Sequence, residues 1–140
     1  MRQYNNNINP LERILSAATY LTAGMVGFVW IIIAAFMRRM PKSFLLFHIM
    51  QSIFLSIAYF ILIELYKLVF IILVKIPLIS TLFLFFNSVI FNPLPLFWGM
   101  SLMQIFTSTV ILYLAITSFM GLYSYIPWVS DIIKANTGNR

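Results

Sequence analysis

Long apolar runs, broken by short polar or proline-containing stretches, make up most of the chain. Such runs exceed the roughly four to eight residues of a buried strand and are typical of helices. Because a hydrocarbon core about 30 Å thick takes roughly 20 apolar residues per crossing, the runs also fit a bilayer. The pattern predicts an all-α fold, a polytopic membrane helix bundle of about four transmembrane helices, in one membrane domain over residues 1–140. Helices are expected over residues 11–37, 43–66, 68–91 and 96–122, followed by a C-terminal interfacial segment at 123–136.

Proline positions suggest where two of these helices begin. Asn9 suits the N-cap of the first helix, Pro10 its first turn, and Glu12 the capping-box acid that reaches back to the cap. Pro77, however, lies inside residues 68–91. Those residues form either one kinked crossing or an extension of the second helix followed by a short helix from Pro77 to Phe91, which would rise only about 22 Å. We favour the crossing.

Composition indicates that lipid is the main solvent. Hydrophobic residues make up 62% of the chain and charged residues only 9%, whereas a water-soluble surface needs roughly a quarter charged. The absence of cysteine excludes disulfides and thiolate metal sites. An enzyme is not expected, because Asp131, the only aspartate, lies in the C-terminal tail and no phosphate-binding glycine loop is present. We therefore expect neither catalytic residues nor metal ligands in this chain.

The basic residues cluster near the ends of the apolar runs, where they would contact lipid headgroups and set the topology rather than bind nucleic acid. Four crossings place both termini on one side of the membrane. That side holds six of the nine Lys and Arg residues, namely Arg2, Arg13, Lys67, Lys75, Lys134 and Arg140. The excess predicts that both termini face the stroma or cytoplasm.

Two of the predicted helices each carry one mildly polar face. Polar side chains inside a bilayer usually face protein or water. They could join neighbouring helices by hydrogen bonds, or they could line a hydrated groove that accommodates an extended polypeptide. The candidate path-lining or interhelical residues are Gln51, Ser52, Ser56, Gln104 and Ser108. Separately, His48 is either a satisfied histidine or a ligand for a pigment.

Three short motifs resemble one family, that of the twenty-kilodalton subunit of the chloroplast inner-envelope protein translocon (the TIC complex). Residues 12–21 are similar to the family's opening stretch, residues 47–52 to the start of one of its transmembrane helices, and residues 121–131 to its closing signature. The matching positions are Glu12, Arg13, Phe47, His48, Met50, Gln51, Gly121, Tyr123, Ile126, Pro127 and Asp131.

The resemblance implies an integral four-helix protein of the plastid inner envelope, or of a cyanobacterial membrane, that helps form the path of incoming preproteins. It implies preproteins, other translocon subunits and lipids as partners, and no cofactor. The lack of a transit peptide before Pro10 suits a plastid-encoded or cyanobacterial-type member. The alternative is a small accessory helix-bundle subunit of a large photosynthetic or respiratory membrane complex, in which His48 would hold a pigment.

Overall fold

The computed structural model describes residues 8–38, 41–95 and 98–136, and it is all-helical, as the sequence predicts. The described ranges contain no strand, only an isolated bridge between Leu94 and Met100. Six helices follow one another in these ranges: α1 (Pro10–Leu21), α2 (Met25–Phe36), α3 (Ser43–Leu73), α4 (Pro77–Phe91), α5 (Leu102–Phe119) and α6 (Val129–Asn136).

The single helix predicted over residues 11–37 is in fact two helices, α1 and α2. Ala23 takes a left-handed φ of 51°, and Gly24 follows with a φ of 90°. The Ala23 and Gly24 amides donate to carbonyls of the last turn of α1, at 3.2 and 2.7 Å, which satisfies groups that a helix end leaves unpaired. Residues at helical spacing lie on both sides of this turn, so the spacing alone did not reveal the break.

The α1 N-terminus follows the expected cap only in part. Asn9 accepts a hydrogen bond from the Leu11 amide at 3.4 Å, and Pro10 opens the helix as predicted. Glu12 does not reach back to the cap, because its carboxylate pairs with Lys42 at 2.8 Å instead.

The predicted boundary between residues 43–66 and 68–91 is wrong, and the alternative with a short helix is correct. The α3 helix continues past Lys67 to Leu73, since Lys67 pairs with Glu64 on one helix face at 2.7 Å and does not interrupt the backbone. The break comes at Ile76, which is held extended before Pro77, the first residue of α4. With 15 residues, α4 rises only about 22 Å.

The last long helix is shorter than the predicted 96–122. It begins after a turn in which Leu94 and Met100 pair, and it ends at Phe119. Its end is a Schellman motif, in which Gly121 has a φ of 76° and the Leu122 amide donates to the Thr117 carbonyl at 3.0 Å. Residues 96, 97 and 137–140 lie outside the described ranges. Within those ranges α3 and α5 are long and apolar enough to cross a membrane, while α2 and α4 are shorter apolar helices.

The chain divides into two compact units. The terminal unit combines the residues up to Ala58 with those from Ile111 onward, and the central unit is Tyr59–Val110. In the terminal unit α1 is polar inside and apolar outside: Thr19 and Tyr20 are buried, whereas Leu11 and Leu21 are 72% and 63% exposed. This polarity is the reverse of a helix at a water-facing surface.

Candidate functional site

Buried polar side chains from three distant parts of the terminal unit meet in one cluster. Tyr20 comes from α1 and approaches two side chains of α3. Its hydroxyl lies 2.8 Å from Nδ1 of His48 and donates to Oε1 of Gln51 at 2.7 Å. We call this cluster the polar core; its members are Tyr20, His48, Gln51, Ser124 and Ser130.

Gln51 is the hub of the polar core. Its amide nitrogen donates to the Ser124 carbonyl at 3.3 Å and to the Ser130 hydroxyl at 3.2 Å. Its amide oxygen also accepts from the Ser124 hydroxyl at 3.0 Å. With the bond from Tyr20, both amide protons and both lone pairs of this fully buried side chain are used.

The hydrogen bond from Tyr20 to Gln51 constrains the tautomer of His48. A phenol has one proton, so if Tyr20 gives it to Gln51, Nδ1 of His48 carries the proton that bonds the phenol oxygen. The second ring nitrogen, Nε2, is buried and has no hydrogen-bond partner within the described ranges.

Aromatic rings enclose the histidine. The rings of Phe44, Phe47 and Tyr123 lie with centroids 4.5, 5.3 and 6.1 Å from that of His48, which has no exposed surface. A pigment bound to His48 would have to displace these rings. The structure also shows no group of three or more potential metal-ligating side chains in the part of the chain that it describes.

The opening and closing motif segments also meet where Arg13 packs on Gly121. A Cβ added to Gly121 would lie 3.0 Å from the Arg13 Nε, so the guanidinium packs directly on the glycine. The left-handed φ of Gly121 makes a glycine favourable here for a second reason. Nε of Arg13 is buried and has no hydrogen-bond partner in the described ranges.

Other motif residues lie outside the polar core. Met50 is 42% exposed, and Pro127 is exposed. Asp131 accepts a hydrogen bond from the Tyr125 hydroxyl at 3.1 Å on the surface, and this bond raises the pKa of Tyr125. These positions do not take part in the contacts that join the three segments.

Three of the predicted lining residues lie in the terminal unit, and each makes a hydrogen bond between segments. Gln51 belongs to the polar core. Ser52 donates to the Thr19 carbonyl at 2.9 Å, and Ser56 donates to the Ala23 carbonyl at 2.9 Å. Gln51 and Ser52 are buried, while Ser56 is only half-buried.

The other two predicted lining residues lie in the central unit. Gln104 forms a reciprocal capping box with Ser101, in which the Ser101 amide donates to Oε1 of Gln104 at 2.9 Å and the Gln104 amide donates to the Ser101 hydroxyl at 3.2 Å. Gln104 and Ser108 are both exposed. Whether any of the five residues lines a path stays a prediction.

Sequence reasoning did not assign a site role to Tyr20, Ser124 or Ser130. A signal was available for each, because Tyr20 belongs to the opening motif and both serines lie within the closing motif. The chain was compared with protein-family models, curated proteins and solved structures, and none of them matches it.

Proposed function

We propose that this chain is a membrane component of a protein-import translocon at the inner chloroplast envelope, where it helps form the preprotein path. One observation carries the proposal: the three motif segments that resemble the translocon family converge in the polar core. Tyr20 belongs to the first segment, Gln51 to the second and Ser124 to the third, and their side chains bond to one another. Motifs that are each short and unspecific thus form one interdependent set of contacts.

The distribution of polar groups supports a membrane location. Buried positions of the terminal unit include many hydroxyl and amide side chains, while large apolar side chains lie on its outside. In hydrocarbon this arrangement places most of the buried hydroxyl groups where other protein groups can bond them, and it exposes apolar side chains to lipid. The 31-residue α3 is also long enough, at about 46 Å, to cross the bilayer and extend beyond it.

The proposal retains a four-helix bundle with both termini on the stromal side. The length and apolar composition of α3 and α5 support crossings by these two helices, whereas crossings by α2 and α4 require local thinning of the bilayer. An even number of crossings, two or four, places the termini together. The expected partners are preproteins, other translocon subunits and lipids, and the proposal assigns no catalytic residue and no cofactor.

Site-specific photocrosslinking to an arrested preprotein tests the path. The probes belong at Ser56, Gln104 and Ser108, because the other two predicted lining residues are buried. Ile57 and Phe106, which are 55% and 66% exposed, are matched apolar controls close to these probes. We expect preprotein adducts from the polar positions and lipid adducts from the controls.

Two results would contradict the proposal. The first is preprotein labelling that is equal at polar and control positions, or confined to the controls. The second is co-purification of chlorophyll or haem absorbance, in place of import components, that is lost in His48→Ala. The latter result would favour an accessory subunit of a photosynthetic or respiratory complex.

A further inference from the structure

We infer that the seam between α1 and the start of α3 is a binding site for an extended polypeptide, and that residues 122–126 of this same chain occupy it. The inference rests on the proposed function, because it names the site at which an incoming chain would bind. Residues 122–126 form neither helix nor strand and join α5 to α6. At their centre Ser124 is only 2% exposed.

The seam binds this segment partly through its main chain. The Ser124 carbonyl accepts a hydrogen bond from the Gln51 amide of α3 at 3.3 Å, and the Ser130 hydroxyl of α6, which is not part of the seam, donates to the same carbonyl at 3.3 Å. Every amino acid has such a carbonyl, so these contacts do not depend on sequence. A site for imported chains of many sequences needs contacts of this kind.

The side-chain contacts of the segment are few and adaptable. The Ser124 hydroxyl donates to Gln51, and the Tyr123 ring packs edge-on against Phe44 and Phe47 at centroid distances of 5.4 and 5.2 Å. An aromatic or other large apolar side chain of a second polypeptide could pack on the same two rings. The seam thus combines a polar strip for the main chain with an apolar wall for a side chain.

Both ends of the segment are turns. Gly121 has a φ of 76° and Trp128 a φ of 67°, so the chain changes direction on either side of residues 122–126. Displacement of the segment would break hydrogen bonds at the ends of the flanking helices, namely Leu122 amide to Thr117 carbonyl at α5 and Ser130 amide to Ile126 carbonyl at α6, each at 3.0 Å.

Leaving the seam without residues 122–126 would cost free energy. This cost favours direct replacement of the segment by another polypeptide over opening of an unoccupied seam. Without residues 122–126, the buried Gln51 amide would lose its bonds to Ser124, and an unsatisfied buried polar group costs about 1–3 kcal/mol. A second polypeptide that presents a carbonyl at this place would restore the bond. The segment thus acts as a stand-in that an incoming chain replaces.

Cysteine labelling tests the exchange, since the natural chain has no cysteine. Ser124→Cys reports the segment, and Tyr125→Cys is the matched control, because Tyr125 is 54% exposed. In membranes that contain the intact complex, N-ethylmaleimide should label Ser124→Cys at least about tenfold more slowly than Tyr125→Cys. An arrested preprotein should raise the Ser124→Cys rate by about fivefold or more and change the Tyr125→Cys rate little.

Hydrogen exchange of the unmodified chain gives the same information if Ser124→Cys does not fold. The Ile126 amide donates to the Ser130 hydroxyl at 2.8 Å and should exchange faster once the preprotein is bound. If the preprotein crosslinks to the Ser56 or Gln104 probe while residue 124 and this amide stay protected, the inference is overturned and the translocon function stands. If no preprotein associates with the complex, both this inference and the proposed translocon function are overturned.

Discussion

The terminal and central units bury their side chains in different ways. In the terminal unit, buried hydrogen bonds join Gln51 to Tyr20, 31 residues away, and to Ser124, 73 residues away. In the central unit α4 has no buried residue, and its side-chain hydrogen bond to α3 runs from Tyr66 to Asn87 at 2.9 Å.

This difference shows what specifies each unit. Between helices in lipid the hydrophobic effect offers little, so packing and hydrogen bonds select the partners. The terminal unit contains such a set of bonds and specifies its own arrangement. The central unit presents Leu78 (94% exposed) and Phe85 (64% exposed) outward, so much of its apolar surface is not covered by the described residues.

The largest expected effect follows from Gln51→Met, which keeps the side-chain volume and removes the amide. Tyr20, Ser124 and Ser130 would all lose a bond in a buried site. We expect the free energy of unfolding, measured by denaturant titration in mixed micelles, to fall by about 3 kcal/mol.

Asn87→Leu is the matched control in the central unit. It removes only the bond from Tyr66, so a loss of about 0.6 kcal/mol is expected, the average for hydrogen bonds between membrane helices. Equal losses of unfolding free energy in the two variants would show that the polar core stabilises the terminal unit no more than the Tyr66–Asn87 bond stabilises the central unit.

A second comparison uses two glycines with the same backbone conformation. Gly121 and Gly99 both have a φ of 76°, but a Cβ at Gly121 would lie 3.0 Å from Arg13, while one at Gly99 would meet none of the described residues within 4 Å. Gly121→Ala should cost about 2 kcal/mol and Gly99→Ala about 1 kcal/mol, as measured by the same titration. The difference between the two losses of unfolding free energy measures the contact between Arg13 and Gly121. Equal losses would show that this contact does not contribute to stability.

The sequence predicted the helical class and several local features well. The Asn9 cap and Pro10 at the first turn both depend on residues close together in the chain. Such short-range geometry follows directly from residue type and spacing.

Features that depend on distant residues were not predictable in the same way. The turn at Ala23–Gly24 separates the amphipathic α1 from the almost wholly apolar α2, and helical spacing continues on both sides, so the spacing alone did not locate the break. Gln104 follows Ser101 at the spacing of a capping box, which is a local signal for a helix cap. Nothing local shows that Gln51 bonds across to Ser124, and only the fold reveals that partner.

The smallest expected effect concerns the Glu64–Lys67 pair in the central unit. Glu64 lies 21 residues along α3 from Ser43, a rise of about 32 Å, which is close to one hydrocarbon thickness. If α3 crosses the bilayer from Ser43, the pair lies where the helix leaves the lipid, and Lys67 can extend towards water. Both side chains are about half exposed, at 49% and 59%, so the pair should contribute little. Glu64→Gln should therefore change the free energy of unfolding by less than about 0.5 kcal/mol, and the double variant Glu64→Gln/Lys67→Gln by a similarly small amount. A loss several times larger in the single variant, recovered in the double variant, would place the pair deep in hydrocarbon. In that case α3 would not start its crossing at Ser43, and the placement of the central unit in the membrane would have to be revised.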